Sequence, residues 1–307
     1  MSSSRSQYTL PVLLALGASL VLWASAYAGI RAGLRGFSPS ALAALRFLTA
    51  SAVLAIYAAV VHFRRPAARD IPGLILTGAV GITFYNIALN YGETRVTAGS
   101  ASLLIASTPI WTALLAVFFL HEHLSFRAWM GVLLSFIGVG LIASGEGEGI
   151  HMSPQALIIL ACALSSAAYM TLQKHFLSRY TALEFTAYSI WAGTLLMLPF
   201  AFKLPTELRN APRQATAAAI YLGVFPGAIA YVAWAHVMAR GSAARTTTML
   251  YLTPVLAIFI AWVWLGEVPK LIALAGGAIA LLGVLMVNKQ PAGEPSSKPM
   301  PVQVEKV

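Results

Sequence analysis

Apolar residues along this chain fall into ten blocks, separated by short polar or glycine-rich segments. An α-helix needs about 20 residues to cross ~30 Å of hydrocarbon, because each residue adds ~1.5 Å. Since lipid offers no partner for a free backbone N–H or C=O, each block is predicted to be helical. The pattern therefore predicts an all-α integral membrane protein with ten transmembrane helices, helix 1 to helix 10. The blocks span residues 11–30, 39–63, 71–92, 98–120, 126–143, 154–177, 182–202, 213–238, 243–265 and 269–287.

Composition supports a membrane protein. Hydrophobic residues make up 59% of the chain and charged residues only 10%, whereas a soluble domain carries about 25% charged residues. Outside the blocks lie a short head, residues 1–10, and a proline-rich tail, residues 288–307, which is predicted to be disordered. Cys162 is the sole cysteine, so an internal disulfide is excluded.

Lys and Arg residues predict how the chain is oriented. With the N-terminus inside, the inner segments hold twelve of these residues and the outer segments hold seven. Because basic residues accumulate on the cytoplasmic side of bacterial-type membrane proteins, both termini are predicted to be cytoplasmic and the membrane to be the inner membrane. The net charge of +10 is explained by this topology, and no basic groove with interleaved aromatic residues indicates nucleic acid.

One motif occurs twice. The stretches STPIWTALLAVFFLHEHL, residues 107–124, and LTPVLAIFIAWVWLGEVP, residues 252–269, both place a glutamate thirteen positions after Thr-Pro. A shift of 145 positions aligns these stretches and several other residues, and Tyr27 matches Tyr169 at a shift of 142. The other aligned pairs are Gly78 and Gly223, Arg95 and Arg240, Gly131 and Gly276, and Gly138 and Gly283. Since glycine and proline constrain the backbone, an internal repeat is predicted.

Each repeat contains five helices, which is an odd number, so the second repeat must enter the membrane from the opposite side. The predicted organisation is a first repeat at 11–143, an external linker at 144–153 and a second, inverted repeat at 154–287. Inverted repeats are typical of carriers that work by alternating access around a central substrate cavity. Because one chain supplies both halves, a monomer is predicted.

Several motifs resemble the EamA repeat of the drug/metabolite transporter superfamily. They are Trp23-Ala-Ser-Ala-Tyr27, Leu45-Arg46-Phe47, Ala88-Leu-Asn-Tyr91, Ala101-Ser-Leu-Leu-Ile-Ala-Ser-Thr-Pro109 and Leu120-His-Glu122. The resemblance covers about residues 11–287 and implies export or facilitated movement of small metabolites. One branch, which this chain resembles in size and aromatic content, exports amino acids, aromatic ones included.

Polar and aromatic residues within the blocks are candidates for lining the cavity. Helical periodicity of about 100° per residue puts Asn86, Asn90 and Glu93 on one face of helix 3. Aromatic walls with a few amide and hydroxyl groups suit a zwitterion with an apolar or aromatic side chain. Interhelical hydrogen bonds and interfacial aromatic belts are the alternative interpretation. The candidates are Trp23, Tyr27, Tyr85, Asn86, Asn90, Ser107, Trp111, Tyr169, Gln173, Tyr231 and Trp234.

Arg46 is the one basic residue well inside a block. Its long side chain could snorkel to the outer surface, since it lies seven residues beyond Pro39. Alternatively, its guanidinium could bind a substrate carboxylate through two parallel hydrogen bonds. The sequence leaves both interpretations open, and Arg46 is retained among the binding candidates.

The repeated motif is assigned structural roles. Glu122 and Glu267 oppose the dipoles of their own helices, so each is predicted to cap the N–H groups that open the next helix. Pro109 and Pro254 are predicted to kink helices 4 and 9, and Pro226 to break helix 8. Whether these kinks act as hinges is a hypothesis.

The sequence indicates less about energy coupling and catalysis than about the fold. Glu93 and Glu184 lie near block ends, so facilitated diffusion is favoured over proton-coupled export, the alternative. An intramembrane enzyme would need a nucleophile, a metal cluster or paired carboxylates, and no such motif occurs. His121 and His123 point to different sides of a helix and do not make a metal site. No enzyme activity, metal or cofactor is therefore predicted.

Overall fold

The structure is a computed structural model that describes residues 10–61, 63–120, 125–145, 153–240 and 249–288. Within these ranges the chain is helical and contains no β-strand. Glu122, most of the 144–153 linker and nearly all of the two predicted termini lie outside the described residues. The uninterrupted helices are helix 1 (Leu10–Gly33), helix 2 (Pro39–Val61), helix 5 (Phe126–Gly145), helix 6 (Pro154–Phe176), helix 7 (Ala182–Met197) and helix 10 (Leu271–Asn288).

Four helices are interrupted. Helices 3 and 8 each contain a π-helical segment, and helices 4 and 9 each restart at a Thr-Pro pair. Helix 3 comprises Ile71–Thr77, the π segment Gly78–Phe84 and Tyr85–Gly92, and helix 8 comprises Arg213–Val224, the π segment Phe225–Ile229 and Ala230–Arg240. Helix 4 comprises Ala98–Ile105 and Thr108–Leu120, and helix 9 is Thr253–Leu265 after a 3₁₀ turn at Met249–Leu252.

Length and hydropathy make this a membrane-spanning fold. Seven of the described helices are long and apolar enough to cross a bilayer. An eighth span is Ala182–Phe200, if it is counted with the short helix Leu204–Asn210, which bends away from it by 85°. Two shorter apolar helices, Met249–Leu265 and Leu271–Val287, cover the last two predicted blocks. The all-α membrane architecture predicted from the sequence is confirmed.

The contact between helices 5 and 10 shows how the two repeats are related. The hydroxyl of Ser135 donates a hydrogen bond of 2.9 Å to the carbonyl of Ala280, which lies 145 positions later. This shift is also the one that aligns the two repeats, so the bond joins equivalent positions. Two helices that touch at equivalent positions are related by a twofold axis through the contact.

Glycines on either side of this axis let the two backbones approach closely. A Cβ atom at Gly131 would collide with the carbonyl of Gly283, and one at Gly138 would collide with the backbone of Gly276. Exchange of the repeats converts the first contact into the second, because Gly131 is equivalent to Gly276 and Gly138 to Gly283. Small residues therefore make this interface, as is common between helices in lipid.

The irregular segments follow the same symmetry. Thr108–Leu120 and Thr253–Leu265 have equal lengths and differ by 145 in number, and the π segments at 78–84 and 225–229 overlap at this shift. Pro109 and Pro254 each occupy the second residue of a helix. Helix 4 is interrupted just before Thr108, and a 3₁₀ turn at Met249–Leu252 precedes Thr253 in helix 9, so irregular backbone lies next to each proline where the sequence predicts a kink. Pro226 opens the π segment of helix 8.

Polar contacts tie the repeats together at both ends of the molecule. At one end, the Arg179 guanidinium pairs with Asp70, which also accepts a hydrogen bond of 2.9 Å from the Tyr180 hydroxyl. At the other end, Glu207 accepts a hydrogen bond of 2.8 Å from the backbone N–H of Ser38. The interior between these two ends contains the residues considered next.

Candidate functional site

Aromatic rings of helices 1 and 8 meet in the interior. The Trp23 ring contacts that of Tyr231 edge-on at 5.5 Å between centroids, and it contacts that of Trp234 at 5.2 Å. We call these three residues the aromatic wall. Its members come from both repeats, Trp23 from the first and Tyr231 and Trp234 from the second.

Arg46 lies beside this wall. Its residue is 7% exposed, and its guanidinium carbon lies 5.1 Å from the ring centroid of Phe47. The guanidinium interacts electrostatically with Tyr231, Tyr85 and Tyr27, while its Nε atom has no hydrogen-bond partner. The side chain points into the protein, so the snorkelling interpretation is wrong. A buried, incompletely paired guanidinium is costly, and this cost is offset when an anion binds.

Glu93 is the second buried charge. The residue is fully buried, and neither carboxylate oxygen has a hydrogen-bond partner. Glu93 does lie at the end of helix 3, as the sequence predicts, but its side chain is buried there. It follows the last residue of helix 3, yet Arg46, Arg31 and Glu267 all act on it electrostatically.

The Arg31–Glu267 ion pair explains why Glu93 stays unpaired. Arg31 Nε donates to Glu267 Oε1 at 2.9 Å. One terminal nitrogen of the same guanidinium, Nη2, also lies 2.9 Å from this oxygen. The remaining terminal nitrogen donates to the backbone carbonyl of Glu93 at 2.6 Å. Glu267 Oε2 accepts from the N–H of Ala98, which opens helix 4. The predicted cap on the following helix is thus corrected: Glu267 caps a helix of the other repeat.

The two amides of helix 3 behave differently. Asn86 Nδ2 donates to the carbonyl of Ile82 in its own helix at 2.8 Å. Asn90 Nδ2 donates to the carbonyl of Pro39 at 2.9 Å, which ties helix 3 to the start of helix 2. The Asn90 Oδ1 atom is buried without a partner. Asn90 therefore offers an acceptor to the interior, whereas the amide of Asn86 is bound to its own helix.

Tyr169 extends the site towards helix 7. Its ring packs onto Gly81, where a Cβ atom would collide with it, and it lies 5.7 Å from the ring of Phe185. Its hydroxyl lies beside Ser189 and interacts electrostatically with Tyr231. Gln173, one turn further along helix 6, is half-buried.

The two candidates of the repeated motif contact helices 4 and 5. Ser107 donates to the carbonyl of Leu104 at 2.6 Å, a bond within the turn that interrupts helix 4. The Trp111 ring meets that of Phe136 edge-on at 5.4 Å. Neither contact involves a residue of the aromatic wall. The interruption between Ile105 and Thr108 lies within one turn of Pro109, where the sequence predicts a kink.

A polar pocket opens at the Glu93 end. Its volume is about 200 Å³, and its lining contains the Arg31–Glu267 ion pair. The remaining lining residues are Leu34, Arg35 and Thr94. Sequence reasoning missed both Glu93 and Arg31 as site residues. The available signal was that Glu93 shares a helix face with the two asparagines.

An all-helical, inverted-repeat membrane protein with polar groups held in its interior has an architecture typical of transporters of small molecules. The EamA-like transporter family model matches residues 9–144 and again residues 153–289, and the chain belongs to this family. It is a multi-pass membrane protein, and its family consists of transporters, not enzymes.

Similar proteins carry transporter names. A probable terminal-alkyne amino-acid exporter of Streptantibioticus cattleyicolor is 42% identical over 91% of this chain and 94% of its own length. The uncharacterized transporter YdfC of Bacillus subtilis is 41% identical over 92% and 93%. A probable amino-acid metabolite efflux pump of Salmonella typhimurium is 25% identical over 86% and 90%. One crystal structure, 21% identical, matches with a TM-score of 0.59 over 90% of this chain and 95% of that chain, which shows the fold alone.

Proposed function

We propose that this protein exports amino acids with apolar or aromatic side chains from the cytoplasm across a bacterial inner membrane. In this proposal both termini are cytoplasmic, one chain suffices, and transport proceeds by alternating access. The single observation that carries the proposal is Arg46, a guanidinium buried beside aromatic rings and incompletely paired.

Arg46 has the chemistry that a substrate carboxylate requires. A guanidinium binds a carboxylate through parallel, charge-assisted hydrogen bonds, and it remains charged throughout the physiological pH range. Tyr27, Tyr85 and Tyr231 interact electrostatically with this charge, and the Phe47 ring lies 5.1 Å from it. Aromatic surfaces of this kind stabilise an apolar or aromatic substrate side chain by offset or edge-on contacts. A carboxylate anchor beside an aromatic surface fits an amino acid better than a sugar or a polyanion.

Symmetric interruptions support alternating access. The interruption of helix 4 and the 3₁₀ turn of helix 9, together with the π segments of helices 3 and 8, give each repeat irregular backbone at similar places. Irregular backbone in membrane helices is tolerated where protein or a cavity surrounds it, and it is a common place for conformational change. The names of two relatives, a probable terminal-alkyne amino-acid exporter and a probable amino-acid metabolite efflux pump, support the substrate class.

Downhill movement is the simplest form of this proposal, because it needs no second ion. The sequence favours facilitated diffusion because the carboxylates lie near helix ends. Glu93 is buried despite that position, so this support for facilitated diffusion is weakened. Proton-coupled export is therefore the second candidate function. A flux in liposomes that follows an imposed pH gradient would select proton-coupled export, and a flux that ignores the gradient would select facilitated diffusion.

Uptake into liposomes that hold the purified protein tests the substrate class. We expect labelled phenylalanine, tyrosine and leucine to equilibrate faster than in empty liposomes, with malate and glucose at the empty-liposome rate. A protein that moves malate or glucose as fast as phenylalanine, or that moves no amino acid, would refute the proposal.

A further inference from the structure

We propose that Glu93 binds the ammonium group of the substrate while Arg46 binds its carboxylate, so that the site selects zwitterions. This inference rests on the proposed function and deepens it. It assigns a substrate contact to a residue that follows the end of helix 3 in the sequence. Glu93 and Arg46 are ionisable groups of opposite sign that are both buried and do not pair with each other.

Burial makes both unpaired groups costly. Glu93 is fully buried with both carboxylate oxygens unpartnered, and Arg46 is 7% exposed with Nε unpartnered. The two charges act on each other electrostatically. In the described segments, however, ion pairs form at Arg31–Glu267 and Arg179–Asp70, not between Glu93 and Arg46. A molecule that carries both signs would offset the desolvation cost of both groups, because neither is paired with the other.

The neighbouring cation does not neutralise Glu93. Arg31 uses Nε and one terminal nitrogen to bind Glu267, and the other terminal nitrogen to bind the backbone carbonyl of Glu93. A guanidinium presents its donors in a fixed planar fork, so these bonds hold it in place. Glu267 thereby keeps Arg31 from the Glu93 carboxylate, which remains free to accept from a substrate.

The other charged and titratable groups around Glu93 do not pair with its carboxyl group. Tyr27 and Cys162 interact with it from helices 1 and 6, and both carry neutral groups at neutral pH. The cations are Arg31 and Arg46, and the second anion, Glu267, is already paired. Of these groups, only Glu93 has an unpaired carboxyl group that an ammonium can bind.

Asn90 adds a second acceptor at the same place. It lies three residues before Glu93, and residues three apart share a helix face. Because Asn90 Nδ2 donates to the Pro39 carbonyl, its oxygen is fixed towards the interior, where it has no partner. An ammonium has three donors, so one carboxylate and one amide oxygen together satisfy most of them.

This arrangement predicts selection by the two polar groups of the substrate. Phenylalanine has both groups on one carbon, phenyllactate replaces the ammonium by a hydroxyl, and phenethylamine lacks the carboxylate. Binding of each compound to the full chain in detergent can be measured by the thermal stabilisation it confers. We expect the wild-type protein to bind phenylalanine at least about tenfold more tightly than either analogue, because each analogue leaves a buried charge unpaired.

Two variants separate the roles of the charges. In Glu93→Gln, phenylalanine affinity should fall about 30-fold, while phenyllactate affinity stays within about threefold of wild type. In Arg46→Gln, phenyllactate binding should be lost while phenethylamine binding remains. Glu207→Gln is the control, since Glu207 lies outside the interior and accepts hydrogen bonds from Ser38. Its ligand profile should match wild type.

Several outcomes would overturn the inference. Unchanged phenylalanine affinity in Glu93→Gln would do so, as would equal losses for phenylalanine and phenyllactate, which indicate a structural role. Unchanged affinity together with a lost response to a pH gradient would make Glu93 a proton site instead. If Glu93→Gln does not fold, Glu93→Asp replaces it and should keep preferring phenylalanine to phenyllactate. Failure of the proposed function is distinct, because the wild-type protein would then bind none of the three compounds.

Discussion

Helices 2 and 7 occupy equivalent places in the two repeats but present different side chains to the interior. A Cβ atom at Gly78 would collide with the backbone of helix 7 at Ser189, and one at Gly223 would collide with that of helix 2 at Arg46. Since Gly78 and Gly223 are themselves equivalent, Ser189 is the counterpart of Arg46. One repeat therefore supplies a cation where the other supplies a hydroxyl.

This difference separates scaffold from chemistry. Positions that let backbones approach or bend are duplicated, as at Gly138 and Gly276. The buried polar groups of helix 3 are not duplicated: Glu93 corresponds to Met238 and Asn90 to Ala235 at a shift of 145. A substrate with two different polar groups needs an asymmetric site, whereas alternating access needs only the symmetric frame.

The largest effect is expected at the centre of this asymmetry. Arg46→Gln should lower kcat/KM for phenylalanine uptake by at least about 100-fold, because loss of a buried charge contact costs about 3 kcal/mol. Ser189→Ala, at the equivalent place, should change uptake by less than about threefold. Arg209→Gln serves as a control, since Arg209 is exposed on the short helix Leu204–Asn210. Similar losses in Arg46→Gln and Ser189→Ala would break the comparison.

The symmetric frame can be broken by one added side chain. Gly138→Val places atoms against the backbone of Gly276 and Ala280, so stability should fall by about 3 kcal/mol. Gly140→Val is a matched control, because nothing lies within 4 Å of a Cβ at Gly140. The apparent melting temperature in detergent measures both. Equal melting temperatures for the two variants would contradict the close contact of helices 5 and 10.

A third comparison concerns the aromatic residues. Trp23→Ala removes the ring that contacts Tyr231 and Trp234, and KM for phenylalanine should rise about tenfold. Trp111→Ala removes a ring that contacts Phe136 on helix 5, and KM should change by less than about threefold if that ring only packs. The same uptake assay with leucine as the substrate should show a smaller effect of Trp23→Ala. A larger effect of Trp111→Ala than of Trp23→Ala would indicate that the substrate binds at the repeated motif.

The smallest effects are expected at the prolines. Pro109→Ala and Pro254→Ala replace the second residue of a helix, where proline and alanine both fit without loss of a hydrogen bond. Flux at saturating phenylalanine should stay within about twofold of wild type for each variant. If either variant loses most of its flux while its melting temperature is unchanged, the proline itself is a hinge.

Local patterns predicted the fold well because hydrophobic length and repeated glycines act through nearby sequence. The ten blocks, the inverted repeat and the glycine contact of helices 5 and 10 all follow from such patterns. The partner of Glu267 did not, since Arg31 lies 236 positions away and Ala98 lies 169 away. The burial of Glu93 could not be predicted for the same reason, because it depends on which distant residues cover the end of helix 3.

The site was predicted in part. Polar and aromatic candidates on helices 1, 2, 3 and 8 do come together. Because lipid surrounds the helices, polar side chains such as those of Arg46 and Asn90 turn towards the protein interior. Whether they bind substrate stays a prediction. The choice between snorkelling and an interior position for Arg46 could not be made from distance along the helix alone, since the direction of a long side chain depends on its neighbours.

An experimental structure with bound phenylalanine would test the central claim most directly. The account predicts ligand density beside the aromatic wall, with the carboxylate within hydrogen-bonding distance of the Arg46 guanidinium and the ammonium facing Glu93. Density for phenylalanine beside Ser107 and Trp111, or an orientation that turns its carboxylate away from Arg46, would contradict it.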